Sequence, residues 1–314
     1  MSLIAVTGAI ELGLIFALLA LGIYVTFRVL GIPDLTVEGS FTVGAAVSAM
    51  LIANPIIAIT IPFTQIQLEF SVNGLAWGLP LAVLAGAIAG FITAMLQTKL
   101  KIQPILAGIL TMTAMHSINL FVMRGSPNIP LFRVATLFTP FTDAVGRAGG
   151  IILASIVLVI VGIFLAVFFH TRLGLSVRAT GDNEEMVRAS SINSTFTKTV
   201  GICIGNAIAA LSGALIAQSQ GFADLNMGVG MVVVALASLI IGEAIFGRRT
   251  VVWNICAVAA GAVIYRILIA FAISLRVNPA NLRAISAAIV VVAISYPAIK
   301  EKWNVMRLRR RGSA

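Results

Sequence analysis

Runs of about 20 apolar residues recur along this chain, and no other feature limits its fold so severely. The run "GIILASIVLVIVGIFLAVFF", residues 150–169, holds no charge at all. A segment like this has lipid as its solvent, and lipid offers backbone N–H and C=O groups no hydrogen-bond partners. Only helices or closed barrels satisfy them there, and runs this long and continuous are helical. Composition agrees: 60% of the 314 residues are hydrophobic and 10% are charged, where a soluble domain carries about 25%. The expected fold is all-α, a polytopic transmembrane helical bundle in one membrane domain over 1–314.

Nine spans are predicted, at 10–29, 36–53, 75–96, 104–123, 150–169, 198–219, 227–246, 251–273 and 282–299. The second is short and interrupted at its head by "GIPDLTVEG", a pattern that marks a broken helix in transporters. Glu11 stands where a cleaved leader would carry basic residues, so the first span is expected to stay in the mature chain. Lys99, Lys101, the segment 172–198, Arg248, Arg249 and the basic tail 300–314 fall on one side. That side is predicted cytoplasmic in a plasma membrane, although Arg124, Arg133 and Arg147 lie on the other. The net charge of +10 is thus a matter of orientation and anionic lipid, and nucleic acid is not an expected partner.

An internal repeat accompanies the spans. "GIPDL" at 31–35 recurs as "GFADL" at 221–225; Trp77 with Pro104 is echoed by Trp253 with Pro279. Five spans separate the copies, so the pseudo-repeats 1–123 and 195–299 would lie inverted in the membrane. The cysteines, Cys203 and Cys256, sit in apolar runs and imply neither disulfide nor metal.

Between spans five and six lies the cytoplasmic loop 170–197, with "SVRATGDNEEMVRASSIN" at its heart. Asp182 and Glu185 read as a capping pair opening a short helix, and Glu184 with Arg188 as its internal ion pair. Met186, Val187 and Ala189 form a small apolar patch, suited to docking another protein or to plain packing.

This run, "GLSVRATGDNEEMVRASSIN" followed by "IAALSGALIAQ", resembles the coupling-loop region of ATP-binding-cassette importer permeases of the branched-chain amino acid, ribose and nucleoside type. The pattern is Gly174, Arg178, Ala179, Gly181, Asn183. "DLTVEGSFTVGA" and "ALASLIIGEAIFG" are similar to other stretches of that family, and "ILAGILTMTAMHSINLFVMRG" to a subgroup for which amino-acid cargo such as tryptophan is expected. Asp34 stands where nucleoside-type relatives usually have Asn, and Ser191 where a Gly commonly precedes the Ile. The resemblance implies a permease subunit that does no chemistry on its cargo, working as a dimer, of identical copies if the single-chain topology is a guide. Beneath it would sit two ATPase subunits, gripping Arg178, Gly181, Asp182, Asn183, Glu184, Glu185, Met186, Val187, Arg188 and Ala189. A solute-binding protein would deliver a small polar cargo, an amino acid being one candidate, outside. The chain has no Gly-x-x-x-x-Gly-Lys-Ser/Thr loop, so ATP and Mg are expected on the partner and no cofactor on this chain.

Polar residues within the apolar runs are candidates for the cargo path. Asp34 and Glu38 are four apart and share a face if that segment is helical, with Gly39 beside them. Thr113, His116, Asn119 and Met123 make one stripe, suited to lining a path or to bonding between helices. Arg266 lies in the outer half of span eight, where a guanidinium snorkels, pairs with an acid or attracts a carboxylate. No metal site is expected from His116. The rival reading is an ion- or proton-coupled secondary transporter using Asp34, Glu38 or Arg266. An enzyme is not expected, since His116 and His170 have no nucleophile–base arrangement around them.

Overall fold

The computed structural model describes residues 3–54, 56–60, 67–71, 73–132 and 134–274, together with 288 and 291. Apart from residues 288 and 291, the ninth expected span 282–299 lies outside the described residues, as do the tail 300–314, Pro279 and Arg133, and only the backbone of Arg147 is described. Eleven α-helices account for most of the rest. They are α1 (Leu3–Ile23), α2 (Thr36–Ala53), α3 (Gly74–Thr98), α4 (Pro104–Val122), α5 (Phe138–Val145), α6 (Gly149–His170), α7 (Arg172–Asp182), α8 (Glu184–Ala189), α9 (Ser194–Gln220), α10 (Met231–Phe246) and α11 (Val251–Ser274). Two pairs of short antiparallel strands complete the picture, β1 (Ile56–Thr60) with β2 (Gln67–Ser71), and β3 (Asn128–Pro130) with β4 (Phe222–Asp224).

Seven of these helices are long and apolar enough to cross a membrane. The fold is a helical membrane bundle, as the apolar runs require. α2 and α9 form its centre: α2 packs on α3, α4 and α9, while α1 packs on α6, α9, α10 and α11. The helices at the rim turn large apolar residues outward, for example Val159, Ile160 and Ile163 on α6. In water such a surface would aggregate; in lipid it is the solvated face.

The breaks position everything polar. α1 does not end as an α-helix: it widens into a π-helix over Tyr24–Val29, and Leu30 N–H donates to the Val25 carbonyl at 3.1 Å. Gly31 then adopts φ +68°, the left-handed region open to a residue without Cβ. Residues 31–35 run without helix, so the expected interruption at the head of span two is present.

A second break answers it. Gly221 closes α9 at φ +76°, Phe222–Asp224 pairs with Asn128–Pro130, turns follow, and α10 starts only at Met231. The seventh expected span, 227–246, is therefore a helix of 16 residues, too short to cross alone. Its first residues include Gly228 and Gly230, poor helix formers, and Gly230 holds φ +83°. Both breaks carry the same local device. Thr36 N–H donates to Asp34 Oδ1 at 2.9 Å, and Asn226 N–H donates to Asp224 Oδ1 at 2.8 Å.

The ends of the bundle differ in charge. Arg28 pairs with Glu243, Gly181 lies against the Val29 carbonyl, and Leu30, Ile32, Ala94, Val177 and Ile202 share one apolar cluster. These contacts gather the end of α1, the end of α3, the α7–α8 segment, the start of α9 and the end of α10 at one basic end.

Candidate functional site

Two sites emerge, one at the basic end and one half-way along α4.

At the basic end the polar loop is more helical than expected. Residues 172–182 form α7, capped by Thr171, whose Oγ1 accepts from Gly174 N–H at 3.2 Å. α8 follows after a single residue. Its cap is Asn183, whose Oδ1 accepts from Met186 N–H at 3.0 Å, and not Asp182, which is still the last residue of α7. An Asn with extended backbone is free to reach forward; an Asp already in helix is not. The expected ion pair exists: Arg188 donates to Glu184 Oε1 at 2.7 Å. Lys198 of α9 donates to the other oxygen at 2.5 Å, and Arg188 Nε donates to Ser194. The Lys198 bond and charge, reinforced by Arg188, hold the Glu184 carboxyl below the usual carboxylate range, against the opposing pull of partial burial.

Of the apolar patch, Met186 stands 68% exposed while Val187 is buried at 3%. Val187 fastens α8 to its own chain, and Arg178, Asp182, Glu185, Met186, Arg188 and Ala189 face outward. Gly181 lies against the first break, since a Cβ there would overlap the Val29 carbonyl. Ser191, after α8, takes φ +60°. That conformation explains why glycine suits this position.

The second site is a chamber of about 230 Å³ lined by Glu38, Gly39 and Thr42 of α2, Met112, Thr113, His116 and Asn119 of α4, and Leu225, Gly228 and Val229 of the second break. Five of the seven residues expected along a cargo path meet here: Glu38, Gly39, Thr113, His116 and Asn119. Glu38 Oε1 accepts from Gly230 N–H at 3.0 Å and from Val232 N–H at 3.4 Å. Its carboxyl thus caps the N-terminus of α10, where the helix dipole favours negative charge. Gly39 keeps α2 against α4, because a Cβ there would come 2.8 Å from Met115 Cβ. Asn119 is 1% exposed; its Nδ2 donates to the Gly39 carbonyl at 3.4 Å and its Oδ1 has no partner among the described residues. His116 also borders an apolar groove of about 1090 Å³ between α2, α3 and α4, lined by Leu81, Leu84, Ile88, Leu120 and Phe121 among others.

Asp34 and Arg266 do not join them. Asp34 precedes α2, so it shares no helical face with Glu38; it is 5% exposed and its Oδ2 accepts from Asn206 Nδ2 at 2.6 Å. Arg266 stacks its guanidinium 4.3 Å from the Phe16 ring, a cation–π contact on the far side of α1. The stripe on α4 also divides, since Met123 is buried in a cluster with Ile129, Leu131 and Ala223. Among the described residues no group of three metal-ligating side chains occurs.

Sequence reasoning passed over Asn206 and Ser40. Ser40 Oγ donates to Asn206 Oδ1 at 2.7 Å, and both are fully buried. The signal was there: a lone Asn inside "GICIGNAIAALSG" has to find partners in lipid.

Comparison with known proteins agrees with this arrangement. The family model described as branched-chain amino acid transport system / permease component matches residues 5–294. The tyrosine transport system permease protein of Clostridioides difficile (strain R20291) is 36% identical over 282 residues, covering 90% of this chain and 88% of that protein. Uncharacterized protein RP368 of Rickettsia prowazekii (strain Madrid E) is 34% identical over 291 residues, 91% of this chain and 95% of its own. The ribose import permease protein RbsC of Escherichia coli (strain K12) is 27% identical over 230 residues, 72% and 65% respectively. No solved structure matches. With most of its length matched and a bundle of membrane helices, this chain belongs to the branched-chain amino acid transport system permease family of ATP-binding-cassette transporters.

Proposed function

We propose that this chain is the membrane subunit of an importer for a small polar solute of the amino-acid class, paired with a second copy of itself and driven by two separate ATPase subunits. ATP and Mg belong to those partners, and a solute-binding protein delivers cargo at the end opposite the basic one. The observation that carries the reading is α8: a capped rod at the basic end with Met186 outward, pinned to α9 through Glu184 and Lys198. A rod held this firmly transmits a push rather than absorbing it. The basic end is the cytoplasmic one on this reading, by the charge rule.

Cargo moves by alternating access, and the two breaks are its hinges. Three residues back from α8, Gly181 touches the first break at Val29; Arg28 of that break holds Glu243, and α10 carries the link up to Glu38. The paired Gly and Asp devices at 31–35 and 221–225 support the view that the segments 1–123 and 195–299 are inverted copies. An amino-acid cargo is supported by the family and by the tyrosine named for the Clostridioides relative.

The test is to isolate the chain with its bound partners and measure cargo-stimulated ATP hydrolysis in lipid. Met186→Asp combined with Glu185→Lys leaves every internal bond of α8 in place. It is expected to lower stimulated hydrolysis at least about tenfold, as loss of a docking anchor does, with unchanged membrane abundance. Hydrolysis at the normal rate in that variant removes α8 from the drive.

A further inference from the structure

The chamber beside α4 has an uneven inventory of donors and acceptors. Its carboxyl acceptor is Glu38, and the Asn119 side chain lies in its wall. Glu38 Oε1 already takes two backbone N–H groups, and among the described residues no hydrogen bond reaches Oε2. Asn119 Oδ1 is buried and has no partner among the described residues, while its Nδ2 is turned to the Gly39 carbonyl. Swapping the amide would set oxygen against that carbonyl oxygen, so the orientation is decided by its neighbour. The hydroxyl donors are spent locally: Thr42 on the Glu38 carbonyl at 3.0 Å, Thr113 on the Ile109 carbonyl at 2.8 Å. The remaining side-chain donor is the ring N–H of His116, for which no hydrogen bond occurs among the described residues, and no Lys or Arg lines the space. A buried acceptor without a donor costs free energy, and a carboxyl in lipid costs more. The spare Glu38 oxygen is the acceptor that asks for a positively charged donor from outside the chain.

We propose that this chamber is an ammonium subsite, which receives the primary amine of the cargo between Glu38 and Asn119 while a bulky apolar side chain lies in the groove beyond His116. At about 230 Å³ the chamber holds roughly eight waters at 30 Å³ each, room for an amine and its α-carbon but not for an aromatic ring beside them. The adjoining groove supplies that room: it shares His116 with the chamber and is lined by Leu84, Ile88 and Phe121. Arg124 also lines the groove, so the chamber suits the amine of an amphipathic cargo and the groove side any carboxylate it carries. The proposal rests on the importer reading for its cargo, but the chemistry of the chamber is measurable without transport.

The experiment uses the permease isolated with its ATPase in lipid nanodiscs, with Cys203 and Cys256 replaced by serine and a reporter Thr113→Cys. Aminoethyl methanethiosulfonate, a cation, and sulfonatoethyl methanethiosulfonate, an anion, are compared as second-order rates, each normalised to its rate with 2-mercaptoethanol. An acceptor-lined space concentrates cations by about 10-fold or more, so the normalised ratio is expected to be at least about ten. Glu38→Gln keeps an oxygen to accept from Gly230 and Val232, so α10 stays capped while the charge is lost; the ratio should then fall to about one. Phenethylamine is expected to slow the cationic reagent and phenylacetate to leave it unchanged. A ratio near one, a ratio indifferent to Glu38→Gln, or no reaction with either reagent overturns the subsite. ATP-dependent uptake of tyrosine by the intact reporter-free complex is scored separately: its absence with the charge ratio intact strikes the importer reading and leaves the subsite standing.

Discussion

Replacing Asn206 tests what holds the first break against the centre of the bundle. Asn206→Ala removes three hydrogen bonds: to Asp34 Oδ2 at 2.6 Å, to the Ile202 carbonyl at 3.0 Å, and from Ser40 at 2.7 Å. The losses are unequal. Ile202 C=O is a helix carbonyl within α9 and keeps its backbone partner. The Ser40 hydroxyl can turn to a carbonyl one turn back, so its loss is near the about 0.6 kcal/mol typical of side-chain bonds between membrane helices. Asp34 Oδ2 has no such retreat, and an orphaned buried carboxyl oxygen costs about 1–3 kcal/mol. The sum is about 2–4 kcal/mol. Ser212→Ala is the control, since it cuts one neutral bond to the Ile15 carbonyl at 2.8 Å and should cost about 0.6 kcal/mol. Equilibrium unfolding in mixed micelles by dodecyl sulfate titration measures both, with a fluorogenic maleimide reporting Cys203 on a Cys256→Ser background. In the double variant Asp34→Ala with Asn206→Ala the costs should fall short of additivity by about 1 kcal/mol or more, because the orphan is gone. If Asn206→Ala costs no more than Ser212→Ala, or if the two costs simply add, the network does not anchor the break.

Three further outcomes follow from the same geometry. Asp34→Asn should cost about 1–3 kcal/mol: keeping the Thr36 bond sets the new amide nitrogen against the Asn206 nitrogen, and turning Asn206 over would set its oxygen against the Ile202 carbonyl. Ser191 holds φ +60°, so Ser191→Val should destabilise the α8 turn by about 1–3 kcal/mol whereas Ser191→Gly should not, read as amide exchange over 184–192. The Glu184 carboxyl is held below its ordinary range by Lys198 and Arg188. Its contribution is therefore complete above the unfolded carboxylate pKa and lost only as pH falls through the depressed folded value. Exchange protection of α8 should survive acidification through the usual carboxylate range and collapse beneath it; Glu184→Gln should lack that step and exchange fast throughout.

What could be read from the residues depended on how local the cause was. The spans were legible because an uncharged run of 20 residues has few alternatives in any solvent, and the Glu184–Arg188 pair because four residues make one helical turn. Asn183 displaced Asp182 as the cap of α8 for a reason that needs the preceding helix: Asp182 is still inside α7, and its side chain is not free to reach forward. The shortness of α10 was written in Gly228 and Gly230, but hydropathy averages over glycine and missed it. Least legible were bonds between distant residues. Asn206 and Asp34 are 172 positions apart, and Glu38 caps a helix start 192 positions away. Nothing in either neighbourhood names the other, so polar residues on apolar runs could be nominated as a set but not sorted into path and scaffold.

The sorting follows from what a broken helix needs in lipid. Ending one helix and starting another leaves N–H groups without carbonyl partners, and no water stands by to take them. Acidic side chains meet that need at both breaks here: Asp34 takes Thr36 N–H, Asp224 takes Asn226 N–H, and Glu38 takes Gly230 and Val232 N–H. An acid in a membrane segment therefore need not be a coupling group for protons or ions; it can be the acceptor that makes the break affordable. Asp34 uses both oxygens within the chain and is sealed against α9. Glu38 differs in one respect. It satisfies α10 through Oε1 alone and stands where that helix start, α2 and α4 enclose a space. Asp224 also leaves an oxygen over, but it does not line the chamber; Glu38 holds its spare oxygen at the point where a shift of either broken span would change what that oxygen meets.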